Sequence, residues 1–150
     1  INIRTKFPPP LVALTFGFLI NYTKNIFPNI EIKNEIIFGS FMIITGLVII
    51  LSAIILFKKY QTTITPLNPS NATKLITDGI YKFSRNPMYL GLLLMLMGIS
   101  IILNLTGGVF LIPLFILYLN LFQIIPEENA MVDLFKDEFT EYKKNVRRWI

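Results

Sequence analysis

Neither cysteine nor histidine occurs in the 150 residues. Without cysteine there are no disulfides, thiol nucleophiles, iron–sulfur clusters or cysteine-ligated metals. Without histidine the commonest metal ligand and neutral-pH general base is gone, so no metal site is expected. Charge is scarce as well: 15% of residues are Asp, Glu, Lys or Arg while 53% are hydrophobic. That balance is too apolar for a water-soluble domain of this length. No small-residue cleavage site follows the first apolar run, which reads as a retained segment rather than a removable signal.

In place of charge the chain has long neutral runs. Residues 7–23, 36–57 and 86–126 are uncharged over 17, 22 and 41 positions. About 20 apolar residues in a helix cross the ~30 Å hydrocarbon layer, so the second run crosses once and the third has room for two crossings. The third run has one cluster of turn formers, Asn104-Leu105-Thr106-Gly107-Gly108, which predicts a helical hairpin of spans 88–103 and 109–125. Further spans are expected at about 9–27 and 36–57, with a loop over 58–87 and a tail over 126–150. In the tail, Met131, Phe135, Phe139, Tyr142, Val146 and Trp149 recur at helical spacing, as on an amphipathic helix. The expected fold is all-α: one membrane domain of four transmembrane helices, with a hairpin and a C-terminal cytoplasmic helix.

Twelve of the 14 basic residues fall in 1–6, 58–85 and the tail, leaving only Lys24 and Lys33 elsewhere. The positive-inside bias then puts both termini and the long loop in the cytoplasm. The net charge of +5 is accounted for by this topology, and no basic, aromatic face is left for nucleic acid. Spans three and four carry no ionisable group other than tyrosine, which argues against ion conduction through them. The expected partners are membrane lipids and a lipophilic substrate.

Loops as long as 58–87 are usually functional or disordered, and this one ends in a stretch too apolar for a free linker. Taken singly, its features have ordinary explanations. Asn86-Pro87 suits the start of a helix, Gly79 a turn with positive φ, and Tyr81, Tyr89 and Arg85 a membrane edge. Glu127 and Glu128 suit the first turn of a helix. Their joint order is more specific. Gly79-x-Tyr81, Arg85-Asn86-Pro87-x-Tyr89-x-Gly91, a two-span hairpin, Glu127-Glu128, Glu141-Tyr142 and Val146-x-Arg148 together resemble the membrane family of isoprenylcysteine carboxyl methyltransferases and phospholipid methyltransferases, over about residues 60–150.

The resemblance implies methyl transfer from S-adenosylmethionine to a lipophilic substrate that enters from the bilayer. It assigns the cofactor to Thr73, Lys74, Leu75, Ile76, Tyr81, Asn86, Pro87, Met88, Tyr89 and Glu127. The hairpin would return Glu127 to the membrane face that carries Asn86. Glu128 is the nearest candidate base, and Gln123 and Arg85 are candidate substrate contacts. Two positions depart from the family pattern: many relatives have His at Asn86, and prenylcysteine-specific members have Arg at Gln123. A glutamine one helical turn before Glu127 cannot neutralise a carboxylate, so a neutral or amine-bearing acceptor is expected. Two other readings compete. One is an NADPH-dependent membrane reductase of the sterol type, with Lys58, Lys59, Lys82 and Arg85 as its phosphate cluster; the other is a noncatalytic four-helix membrane subunit.

Overall fold

The computed structural model describes residues 7–62 and 72–150, and all regular structure among them is helical. Proline opens α1 (Pro9–Tyr22) and α3 (Pro87–Leu103). Its fixed φ and missing N–H cost nothing in a first helical turn. Between them lies α2 (Glu35–Lys59), 25 residues long, and a short 3₁₀ turn at Gly79–Lys82 precedes α3. Gly79 has φ of +57°, the conformation that glycine adopts without steric cost. After α3 come α4 (Leu105–Leu119), a π turn (Asn120–Ile124) and α5 (Ile125–Asn145).

Helices α2 and α3 pack antiparallel through glycine. A Cβ on Gly46 would stand 2.5 Å from the Gly91 carbonyl oxygen, and one on Gly98 equally close to that of Gly39. The seven-residue steps from 39 to 46 and from 91 to 98 are two helical turns each, so the small residues share a face and let the backbones meet. The opposite face of α2 exposes Ile37, Phe41, Ile44, Val48, Leu51 and Ile55. Such a surface is stable against lipid and costly in water. Helix α2 and the continuous segment 105–145 are each long and apolar enough to cross a membrane.

Two local features differ from the sequence expectation. The turn of the hairpin is a single extended residue, Asn104 (φ −160°), and Thr106, Gly107 and Gly108 already belong to α4. The Asn104 carboxamide accepts from the Gly107 N–H at 3.2 Å, an N-cap that makes a longer turn unnecessary. The tail helix is also not a separate element. Segment 105–145 runs on through the π turn, bends at Lys136 (φ 44°) and ends at Asn145. Val146 is extended, so Trp149 is not on the helical stripe; it packs on the core formed by Ile20, Tyr89, Leu96, Phe115, Leu119 and Ile124.

Candidate active site

One end of the bundle holds a cavity of about 480 Å³. The start of α1, the C-terminal half of α2, the 3₁₀ turn, the start of α3 and the whole of α5 converge on it. Pro8, Pro9, Pro10, Ile50, Phe57 and Leu92 give it an apolar wall. Much of the remaining lining comes from two chain segments about forty residues apart. Lys74, Leu75, Ile76, Tyr81, Arg85, Asn86, Pro87, Met88 and Tyr89 precede the hairpin, while Glu127 and Glu128 follow it, and all of them line the cavity. The α3–α4 hairpin joins the two halves, and the Tyr89 hydroxyl donates to Glu127 Oε1 across the join.

The two adjacent acids have opposite surroundings. Glu128 is buried and clamped: Arg85 Nη2 donates to its Oε1 at 2.8 Å, Arg148 Nη2 to its Oε2 at 2.7 Å, and Lys143 Nζ lies 3.9 Å away. Burial acts to raise this carboxyl, but the Arg148 hydrogen bond and the Arg85, Arg148 and Lys143 charges outweigh it and hold it below the ordinary carboxylate range. Glu127 faces the cavity with a tyrosine hydroxyl as its partner. Among the described residues, no Lys or Arg lies within salt-bridge distance of it. Burial pushes its carboxyl up to about 8, against the Tyr89 hydrogen bond and with the Glu128 charge.

The same arginines tie down the chain after α5. Arg85 Nη1 donates to the Lys143 and Val146 carbonyls at 3.2 and 3.1 Å. Its backbone N–H donates to the Arg147 carbonyl at 3.1 Å, and Asn86 Nδ2 donates to that of Arg148 at 2.9 Å. Residues 146–148 are thus strapped across residues 85–86, outside the cavity. Tyr142 Oη donates to the Tyr81 carbonyl at 2.6 Å, and the Tyr81 ring meets Phe57 edge-on at 5.9 Å. Burial raises both tyrosine hydroxyls above their ordinary range, which keeps them neutral.

Four expected roles need correction. Glu128 is held ionised and weakly basic by two guanidinium groups, which bond its Oε1 twice and its Oε2 once. Arg85 is turned inward with both terminal nitrogens committed to Glu128 and to backbone carbonyls, which leaves only its buried Nε–H without a partner among the described residues. Gln123 does not face the cavity. It is wholly buried, its Nε2 donates to the Phe7 carbonyl at 2.9 Å, and the π turn displaces it from the regular i, i+4 register assumed for Glu127. Thr73 is exposed and off the wall, its N–H bonded to Thr62 Oγ1 at 3.1 Å. Asn86, too, caps nothing with its side chain; that group holds the strap. Nor are Glu127 and Glu128 at a free helix start, because the helix continues into them from the π turn.

The sequence reading assigned no role to Arg148, Lys143 or the Pro8–Pro10 wall. The signal for Arg148 was its place in the motif set, together with the need of any buried acid for a cation.

A family model described as phospholipid methyltransferase matches residues 34–138. An uncharacterized protein of Haemophilus influenzae is 41% identical over 63 residues, which cover 42% of this chain and all of that protein. No solved structure matches the chain.

Proposed function

The chain belongs to the phospholipid methyltransferase family, and from that premise we propose that it moves a methyl group from S-adenosylmethionine to a lipophilic acceptor drawn from the bilayer, an amine-bearing one because the Glu127 carboxyl on the cavity wall, rather than the turned-away Gln123, is what would meet its headgroup. The observation that carries this reading is the single cavity wall on which the residues before the hairpin and Glu127 after it meet. The residues fit a cationic cofactor. Among the described residues no cation pairs with Glu127, and the cavity's arginine is already neutralised by Glu128.

When bound, the cofactor supplies an electrophilic methyl group on a sulfonium, whose C–S bond electrons remain on sulfur as the acceptor nitrogen takes the carbon. Tyr81, Asn86, Tyr89 and Glu127 would hold it, with Lys74 beside its carboxylate. The remainder of the task is positional. The apolar wall of Pro8–Pro10, Leu92 and Met131 excludes water and strengthens the charge interactions inside, and the Glu128 clamp fixes the loop that carries Asn86.

For the membrane arrangement we infer four spans, with both termini and the cavity on the cytoplasmic side. The distribution of lysine and arginine supports this, as does the common end at which α1 begins, α2 ends and α3 begins. Calorimetric titration of the detergent-purified protein with S-adenosylmethionine, S-adenosylhomocysteine and NADPH tests the function. Binding of the two adenosyl sulfur compounds alone is expected; binding of NADPH alone would overturn the reading in favour of a reductase.

A further inference from the structure

Of the two acids after the hairpin, the geometry points to Glu127, hydrogen-bonded to Tyr89, as the group that takes the proton from an ammonium acceptor, while Glu128 serves as a fixed counter-ion. This rests on the amine-bearing acceptor proposed above. A primary amine is an ammonium ion at neutral pH and has no lone pair with which to attack a methyl group. The proton must leave first, from R–NH₃⁺ to Glu127 Oε, giving R–NH₂ and a neutral carboxylic acid. The nitrogen lone pair is then free, and charge balances because one cation and one anion have become two neutral groups.

Three observations select Glu127. Its carboxyl lines the cavity, where an acceptor must sit to be methylated. Its partner is the neutral hydroxyl of Tyr89, donated to Oε1, which leaves Oε2 open to a second donor. Glu128 is excluded by its arginines: to protonate it would strand Arg85, whose side chain is 9% exposed, beside a neutral acid. Among the described residues, the groups that face Glu127 are few. Tyr89 comes from α3 and Tyr81 from the 3₁₀ turn; Glu128 and Tyr142 come from α5; Arg85 and Lys74 come from the loop; the described parts of the α1 and α2 walls bring only apolar residues. The raised carboxyl of Glu127 accords with this task, since a base works best when its proton affinity lies near the working pH. A cationic methyl donor in the same cavity would shift the group toward its ionised form and ready it.

The test has one arm that needs no donor. Infrared difference spectra are recorded at neutral pH as a long-chain alkylamine, or an arylamine of equal length that is neutral at this pH, is added. An ammonium seated against Glu127 favours its ionised form, so loss of a protonated-carboxyl band is expected with the alkylamine alone, and not in Glu127→Gln. No change with the alkylamine, or the same change with the arylamine, overturns the assignment. In the second arm, Glu127→Gln with S-adenosylmethionine is expected to lose roughly 100-fold or more in kcat toward the alkylamine and under about 10-fold toward the arylamine. Equal losses for both would make Glu127 a donor-binding group alone and overturn the proposal. Failure of S-adenosylmethionine to bind the wild-type protein would instead sink the methyltransferase reading, and the infrared arm would still decide whether an ammonium meets Glu127.

Discussion

At one end of the bundle residues 27–29 and 104–107 close against each other through backbone-directed hydrogen bonds. Asn29 Oδ1 accepts from the Leu105 N–H at 2.9 Å, Thr106 Oγ1 donates to the Pro28 carbonyl at 2.8 Å, and Asn104 caps α4. Side chains there satisfy helix ends and short loops through neutral groups, while the Glu35 carboxylate keeps one buried oxygen without a partner among the described residues. At the other end helix starts and stops surround a cavity, charged groups are concentrated, and among the described residues Glu127 lines the wall with no cation within salt-bridge distance. A helix end in a low-dielectric setting can be sealed cheaply by neutral amides and hydroxyls. Buried charge at the second end accords with the reaction proposed for the cavity, and a set of arginine bonds holds it. The expected consequence is that substitutions at the closed end alter stability alone, whereas those at the open end alter stability, binding and pH response together.

The largest effect is expected at Glu128. Removing its carboxylate in Glu128→Ala leaves the buried Arg85 guanidinium uncompensated and frees the strap at residues 146–148, at a cost of about 3–5 kcal/mol. Arg148→Ala should cost less, because Arg85 and Lys143 still pair with the acid. Thermal unfolding in detergent checks the order, and donor affinity should fall with it because the Arg85 side chain next to Asn86 loses its carboxylate anchor. Loss of less stability in Glu128→Ala than in Arg148→Ala would contradict the clamp.

Gly91→Ala comes next. Its new Cβ would stand 2.6 Å from the Gly46 carbonyl oxygen, which is rigid helix backbone, and against Ile50, which lines the cavity. Forcing α2 from α3 should cost about 1–3 kcal/mol. It should also weaken donor binding, since Gly91 lies only two residues beyond Tyr89. A cost with unchanged binding would show the cavity to be independent of the helix pair.

Much of this arrangement was legible in the chain, for a physical reason. Hydropathy and the order of Pro, Gly and Asn are properties of a line, so the long apolar runs, the bend near Asn104 and the positive φ of Gly79 could be read from it. The hairpin also lets a line report one distant meeting, that of Asn86–Tyr89 with Glu127. Which of two neighbouring acids would be paired was not legible, because its partners Arg85 and Arg148 reach it from opposite chain directions. The orientation of Gln123 was lost in the same way: a π turn leaves no mark in hydropathy, and the helical projection that aimed Gln123 at the cavity assumed a regular α-helix.

The two acids should also oppose each other in pH. The folded protein keeps a proton on Glu127 that the unfolded chain releases, because its carboxyl is raised from 4.5 to about 8. This contribution therefore makes stability fall as pH rises through that window. Glu128 is lowered, so its contribution is present above the ordinary carboxylate value and is lost as pH falls through the folded one. One proton gives a slope of at most ~1.4 kcal/mol per pH unit. Unfolding midpoints measured between about pH 5 and 8 should flatten in Glu127→Gln, and a slope unchanged from wild type would show that Glu127 is ionised in the folded protein.

The smallest effect, at Asn104, is the sharpest control on the difference between the two ends. Asn104 is fully buried. Its carboxamide oxygen accepts from the Gly107 N–H at 3.2 Å, while its Nδ2 reaches the Phe27 carbonyl only at 3.4 Å, so the cap is its main contribution. Asn104→Ala should cost about 1 kcal/mol, the usual value of an N-cap, with the hairpin kept by the neighbouring bonds from Asn29 and Thr106. Alanine leaves a small space, and Gly107 and Gly108 still pack on Thr23 and Ser100, so the register of α3 against α4 should hold. Because Tyr89 and Glu127 are brought together by that register, donor affinity measured by calorimetry should equal that of wild type even as the unfolding midpoint drops. A parallel loss of affinity would mean that the sealed end sets the geometry of the cavity through the length of the hairpin, and the separation of the two ends would fail.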